Sequence, residues 1–209
     1  MKAIEFWFDP ISPFAYLAFE RLPQALEGCT HVVEYRPVLF AGLLNHWGQK
    51  GPAEIEPKRA WTFRHIAWLA HQHGIALQMP TRHPFNPLPL LRLALAAGPN
   101  RRVVEALMQH VWRGGGDPSD ESRLAALTAE LAPRRSAASD EVKAELRANT
   151  DDAIARGVFG VPSFELDGKL FWGLEALPML RAALQGDAWF DGADWAAAGQ
   201  PRPGLQRRR

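Results

Sequence analysis

Apolar positions follow two periods along the chain: strand-like runs near the ends and a long helical stretch between them. Residues 3–8, AIEFWF, form a short aromatic-rich run of strand type that Asp9 and Pro10 stop. Ser12 followed by Pro13 then reads as a helix start, because a serine oxygen can accept from an orphan backbone N–H and proline fits the first helical position. Tyr16, Leu17, Phe19, Leu22 and Leu26 continue at helical spacing until Gly28. A second strand is predicted over about residues 32–40, VVEYRPVLF. Strand, helix, strand is a βαβ unit, whose natural product is a parallel pair.

From Pro57 to about Gly157 the period is helical, with helices predicted over 60–73, 88–97, 101–112, 121–131 and 140–156. Asn86 and Pro87 open one of them, and the Gly114–Gly116 run follows another. Strand chemistry returns in FGVPSFELDGKLFWG, where SFEL and KLFW are joined by Asp167 and Gly168, a strong signal for a tight hairpin. A last helix is predicted from Glu175 to Leu184 after Gly173. The order is therefore βαβ, a helical block of roughly a hundred residues, then ββα.

Composition removes several classes of function. At 209 residues and 47% hydrophobic, the chain can bury a sizeable core. Lys and Arg number 24 against 23 Asp and Glu, so the net charge of +1 offers no electrostatic case for nucleic acid or an anionic membrane. No run of about 18 apolar residues could span a bilayer, and the N-terminus does not read as a secretory signal. The single cysteine, Cys29, cannot close an internal disulfide, so a cytoplasmic location is the default expectation. The end, GQPRPGLQRRR from residue 199, reads as disordered.

Few residues invite chemistry on their own. Ser12 taken locally is an N-cap. His65, His71, His73 and His83 match no closed zinc spacing and have no cysteine partners, so no metal is expected. Trp61, Trp68 and Trp112 fall on helical stripes and read as core, although aromatic walls near a site would suit a flat substrate. The glycines after Arg113 lack the Lys-Ser/Thr ending of a phosphate loop and read as a helix stop.

Two longer motifs say more. FDPISPFAYLA is similar to a start of the form F-D-x-x-S-P-[YF]-[AS]-[YW]-L, and GVFGVPSFELDGKLFWG to G-[AV]-F-G-x-P-[ST]-F-x-x-D-G-x-x-F-[WF]-G. On these the chain resembles the thioredoxin-fold branch that holds DsbA-type oxidoreductases, kappa-class glutathione transferases and 2-hydroxychromene-2-carboxylate isomerases, with the strongest likeness to the isomerases. The resemblance covers nearly the whole chain except its tail. It implies an α/β, thioredoxin-like fold with a large all-helical insertion: a discontinuous thioredoxin-like domain of residues 1–44 and 158–198, a helical insertion at 45–157 and a disordered tail at 199–209. It also implies a homodimer.

The resemblance further implies a glutathione site. Where redox relatives carry C-x-x-C this chain has Ser12, Pro13, Phe14 and Ala15, and Cys29 lies beyond the far end of the helix, so disulfide exchange is not expected. A hydroxyl at Ser12 would instead donate to the sulfur of glutathione. Lowering a thiol pKa from ~8.5 by about two units takes roughly 2.7 kcal/mol. A hydrogen bond to a charged group contributes about 1.5–3 kcal/mol and a helix N-terminus about 0.3–1. The Val161–Pro162 bond is expected cis, leaving the Val161 backbone to pair with the peptide as an added strand does.

Leu174 and Glu175 stand where relatives grip the γ-glutamyl end; Leu174 can offer only its backbone, and Glu175 is alternatively a favourable first-turn acid. The segment GQKGPAEIEPKRAW resembles a loop that reaches over the site, placing Gln49, Pro57, Lys58 and Arg59 there; the two cations would bind a carboxylate, or are solvated charges at a helix start. Asn86 is a helix cap or a substrate contact. The implied activity is a glutathione-dependent cis–trans isomerase acting on 2-hydroxychromene-2-carboxylate or a related aromatic-catabolism intermediate. A kappa-like transferase and a non-catalytic thioredoxin-like binding protein are the alternatives.

Overall fold

A computed structural model describes residues 1–202 and 204. Strands β1 (Lys2–Phe8) and β2 (His31–Pro37) run parallel, joined by helix α1 (Pro13–Ala25), as the βαβ reading required. Strands β3 (Ser163–Leu166) and β4 (Lys169–Trp172) form the expected hairpin, with Asp167 and Gly168 at φ of 51° and 75°. The sheet order is β2-β1-β3-β4, with β3 antiparallel to β1.

Because β1 is central, both of its faces are covered. Ile4, Phe6 and Phe8 point into the main core with Leu17, Phe19 and Phe164, and the Phe6 and Phe164 rings stack at 4.8 Å. Trp7 points to the opposite face and packs with Val38, Leu43, Ala153, Val158 and Val161. A strand buried on both faces reads as the near-continuous apolar run seen in the sequence.

Between β2 and β3 lie α2 (Phe40–Trp47), α3 (Glu56–His73), α4 (Leu88–Ala97), α5 (Arg101–Trp112), α6 (Glu121–Leu131) and α7 (Asp140–Ala155). Their starts are capped by nearby side chains where the sequence offers them: Asn100, Asp120 and Ser139 accept from Val103, Arg123 and Val142. After β4 come a 3-10 turn (Leu174–Ala176), α8 (Leu177–Leu184) and the short α9 (Ala193–Ala198).

Three expectations are corrected. The second strand ends at Pro37, and Phe40 opens α2 instead of closing a strand. The last helix begins as the 3-10 turn and becomes α-helical at Leu177. Trp61 and Trp68 are not core: they are 65% and 55% exposed, whereas Trp112 is fully buried as expected. Helical spacing fixes that residues share a face, and the Ile66–Ala70 side of α3 is the side that packs inward. The tail assignment falls partly on residues 203 and 205–209, which lie outside the described residues.

Asp9 explains α2. Its carboxylate is fully buried, with Oδ1 accepting from the Ile11 N–H at 3.0 Å and Oδ2 from the Phe40 N–H at 3.0 Å. Leu39 N–H donates to Thr150 Oγ1 at 3.1 Å. The donors at the start of α2 are thus satisfied by residues 31 and 111 positions away in sequence, which no local pattern records.

Burial pushes the Asp9 pKa up to about 7, against the two backbone donors that hold it down. The folded state therefore binds a proton that the unfolded chain has released. This contribution to stability is full below the unfolded pKa and is lost as pH rises through the folded one. We expect the difference in unfolding free energy between wild type and Asp9→Asn, followed by urea denaturation from pH 4 to pH 8, to move against wild type by roughly 4 kcal/mol. A difference independent of pH would show an ordinary carboxylate.

Candidate active site

The turn from β1 into α1 is held at each of its carbonyls. Ser12 N–H donates to Asp9 O at 3.0 Å, and Tyr16 N–H to Ser12 O at 3.2 Å. The Trp112 indole donates to Pro10 O at 2.9 Å. His83 Nε2 lies 2.9 Å from Ile11 O, and since a carbonyl only accepts, Nε2 carries the proton. Burial, and after it the charge of Arg59, lower the His83 pKa against that hydrogen bond, so the ring is kept neutral. Side chains from the helical block thereby fix the geometry of a turn at the edge of the sheet.

Ser12 is the N-cap of α1, with extended backbone (φ −86°, ψ 115°), and its Oγ accepts from Ala15 N–H at 3.2 Å. The hydroxyl proton goes elsewhere, to the Val161 carbonyl at 3.2 Å. Capping uses a lone pair and donation uses the proton, so the two roles weighed for Ser12 are compatible. Pro13 brings no N–H to the first turn, and the Phe14 N–H has no hydrogen-bond partner among the described residues.

Val161 precedes Pro162, and the bond between them is cis, as expected. The Val161 N–H is also without a partner among the described residues. Gly173 N–H donates to Pro162 O at 3.0 Å, which ties the start of the 3-10 turn to the same loop. Gly173 sits at φ 95°, and a Cβ there would fall 2.5 Å from Glu175 Oε2, so the Glu175 carboxylate folds back over the glycine. Leu174 is buried and Glu175 exposed. The structure thus gathers Ser12, Pro13, Phe14, Val161, Pro162, Leu174 and Glu175 into one neighbourhood.

The other predicted residues stand apart from it. Gln49, Pro57 and Lys58 are exposed, and no hydrogen bond, ion pair or ring contact among the described residues joins them to the Ser12 turn. Arg59 is half-buried, close enough to His83 for its charge to act there, and in no ion pair among the described residues. Helix α3 does reach the site through Phe14 and His65, whose rings meet edge to face at 5.9 Å. Asn86 is exposed, and its Oδ1 accepts from Leu88 N–H at 3.1 Å, the cap-like role.

Sequence reasoning missed Asp9, His83 and Trp112 as the residues that hold the turn. Asp9 lay inside the motif FDPISP, where a charged residue at the end of an apolar strand was a readable signal. His83 and Trp112 had none, because their partners are main-chain carbonyls distant in sequence.

What the arrangement can do is bind an extended peptide and stabilise an anion. Val161 presents a main-chain edge, while the Ser12 hydroxyl and the Phe14 N–H are donors at a helix N-terminus.

Known proteins share this fold. The DSBA-like thioredoxin domain matches residues 3–185. The chain is 29% identical to 2-hydroxychromene-2-carboxylate isomerase of Sphingobium xenophagum, covering 88% of this chain and 98% of the relative. It is 28% identical to glutathione S-transferase kappa 2 of Caenorhabditis elegans, covering 77% and 79%. A solved 2-hydroxychromene-2-carboxylate isomerase superposes with a TM-score of 0.79 at 26% identity, covering 92% and 98% of the two chains. A probable DsbA oxidoreductase of Streptomyces coelicolor shares the fold, at a TM-score of 0.62 and 20% identity over 100% of this chain and 94% of its own. With the domain matched over most of its length, the chain belongs to the DSBA-like thioredoxin domain family.

Proposed function

We propose that the protein is a glutathione-dependent isomerase acting on 2-hydroxychromene-2-carboxylate or a related aromatic-catabolism intermediate. The observation that carries this reading is the Ser12 hydroxyl bonded to the Val161 carbonyl beside the Phe14 N–H, in a chain similar to isomerases and kappa-class glutathione transferases. Glutathione, held by Ser12, Phe14 and Val161, would supply a nucleophilic thiolate and would be regenerated rather than consumed.

The residues present fit a cysteinyl peptide. Val161 N–H donates to the peptide and Val161 C=O accepts from it, as in an added strand. The carbonyl now takes the Ser12 proton, so a peptide N–H arriving there competes with the serine and frees its hydroxyl. The hydroxyl would then be able to donate to the sulfur while its lone pair keeps capping Ala15. Phe14 N–H is a second donor to the same atom. Glu175, folded over Gly173, would pair with an ammonium group, and Arg59 with a carboxylate. The site thereby lowers the thiol pKa with hydrogen bonds and a helix terminus alone.

The experiment is calorimetry with glutathione followed by a thiol count during turnover of 2-hydroxychromene-2-carboxylate. Binding near one glutathione per chain and full recovery of the thiol after many turnovers are expected, and S-methylglutathione should bind without supporting turnover. Loss of one thiol per product would make the protein a transferase; no binding by a folded chain would make it a thioredoxin-like binding protein. Arg59→Gln should raise the glutathione Kd about tenfold in low salt and less in high salt, as an unpaired surface cation requires. A Kd unchanged from wild type at both salt concentrations would return Arg59 to the solvated surface.

A further inference from the structure

Helix α3 turns an aromatic face outward. Lys58, Trp61, His65 and Trp68 follow one another at spacings of three, four and three residues, which places them along one side of the helix. The Trp61 and His65 rings lie at 25° with centroids 6.1 Å apart, and the His65 and Trp68 rings at 24° and 6.5 Å, so the three planes form an offset ladder. Trp61 and Trp68 are 65% and 55% exposed, although large apolar side chains are ordinarily withdrawn from water. Ile66 and Ala70 carry the inward packing of the helix, so the ladder is not needed to hold α3 in place.

The ladder is continuous with the site. His65 meets the Phe14 ring at 5.9 Å, and Phe14 is two residues from Ser12 on the first turn of α1. Lys58 stands one turn before Trp61, exposed and in no ion pair among the described residues. A cation one turn from a flat exposed indole is complementary to a planar ring bearing a carboxylate: the ring lies on the indole and the carboxylate meets the ammonium.

We infer that this face of α3 is the substrate-recognition surface, taking a planar aromatic carboxylate with its ring on Trp61 and His65 and its carboxylate on Lys58. The assignment rests on the glutathione reading for its placement beside the nucleophile, but its physical content is separate: the helix face binds the ring whether or not a thiol is present. Trp61 and Lys58 then set specificity, and Ser12 holds the thiolate that reacts. Trp68, two turns from Trp61, extends the platform for larger ring systems.

The test uses chromone-2-carboxylate, a planar unreactive probe, with the full chain and no glutathione. Adding it should quench tryptophan emission in the wild type; Trp61→Ala should lose most of the quenching and raise the probe Kd about tenfold, while Trp61→Phe retains most of the affinity. Lys58→Ala should raise the Kd for the carboxylate and leave unchanged that for chromone lacking it. Glutathione binding, measured by calorimetry on Trp61→Ala and Trp61→Phe, should not change, which separates failure of this assignment from failure of the glutathione site. An unchanged probe Kd in Trp61→Ala would overturn the inference. So would sedimentation showing that Trp61→Ala and Trp68→Ala dissociate a dimer at unchanged probe affinity, since the face would then be covered by a second copy.

Discussion

Ser12 Oγ accepts from the Ala15 N–H and donates to the Val161 carbonyl, so one oxygen couples the start of α1 to a loop 149 residues later in the chain. The rest of the site depends on that coupling. A cysteine at the same position would give a weak donor and an exchangeable thiol; a hydroxyl gives a strong donor with no redox chemistry of its own. Because capping and donation use different parts of the hydroxyl, the proton can change partners without disturbing the helix. The protein thereby keeps the thioredoxin-like architecture and gives up the disulfide.

That oxygen is aimed by groups behind it. Asp9 is buried where an ionised carboxylate is costly, yet two backbone donors, Ile11 and Phe40, converge on it. The same carboxylate therefore shapes the turn that carries Ser12 and begins the helix that leads to the Gln49–Arg59 segment. Trp112 and His83 hold the two carbonyls between Asp9 and Ser12 from the helical block. The helices between β2 and β3 consequently fix the backbone that presents the hydroxyl.

Much of this was legible in the sequence and some was not, for physical reasons. The βαβ start, the Asp167–Gly168 hairpin and the Ser12 cap follow from local rules: apolar period, turn chemistry and the preference of serine and proline for a helix start. The second strand was drawn too long because Val38, Leu39 and Phe40 extend its apolar run, while the donors that open α2 are met by Asp9 and Thr150 from afar. Trp61 and Trp68 read as core from spacing alone, because spacing identifies a face without saying which way it turns. Arg59, beside His83, and Lys58, exposed, are adjacent in sequence yet differ in surroundings, a distinction that only tertiary structure makes. Nothing local marked His83, whose role is a single donor to a main-chain oxygen.

The central claim is that the Ser12 hydroxyl redirects its hydrogen bond from the Val161 carbonyl to a bound thiolate, and the pKa of that thiol measures it most directly. Titrating the ultraviolet absorbance of the thiolate in the glutathione complexes of wild type and Ser12→Ala, with folding checked by circular dichroism, isolates the hydroxyl. The account predicts a wild-type thiol about two units below the free value of ~8.5, and a rise of about one to two units when the hydroxyl is removed. Equal pKa values in two folded complexes would contradict it and leave Ser12 a helix cap.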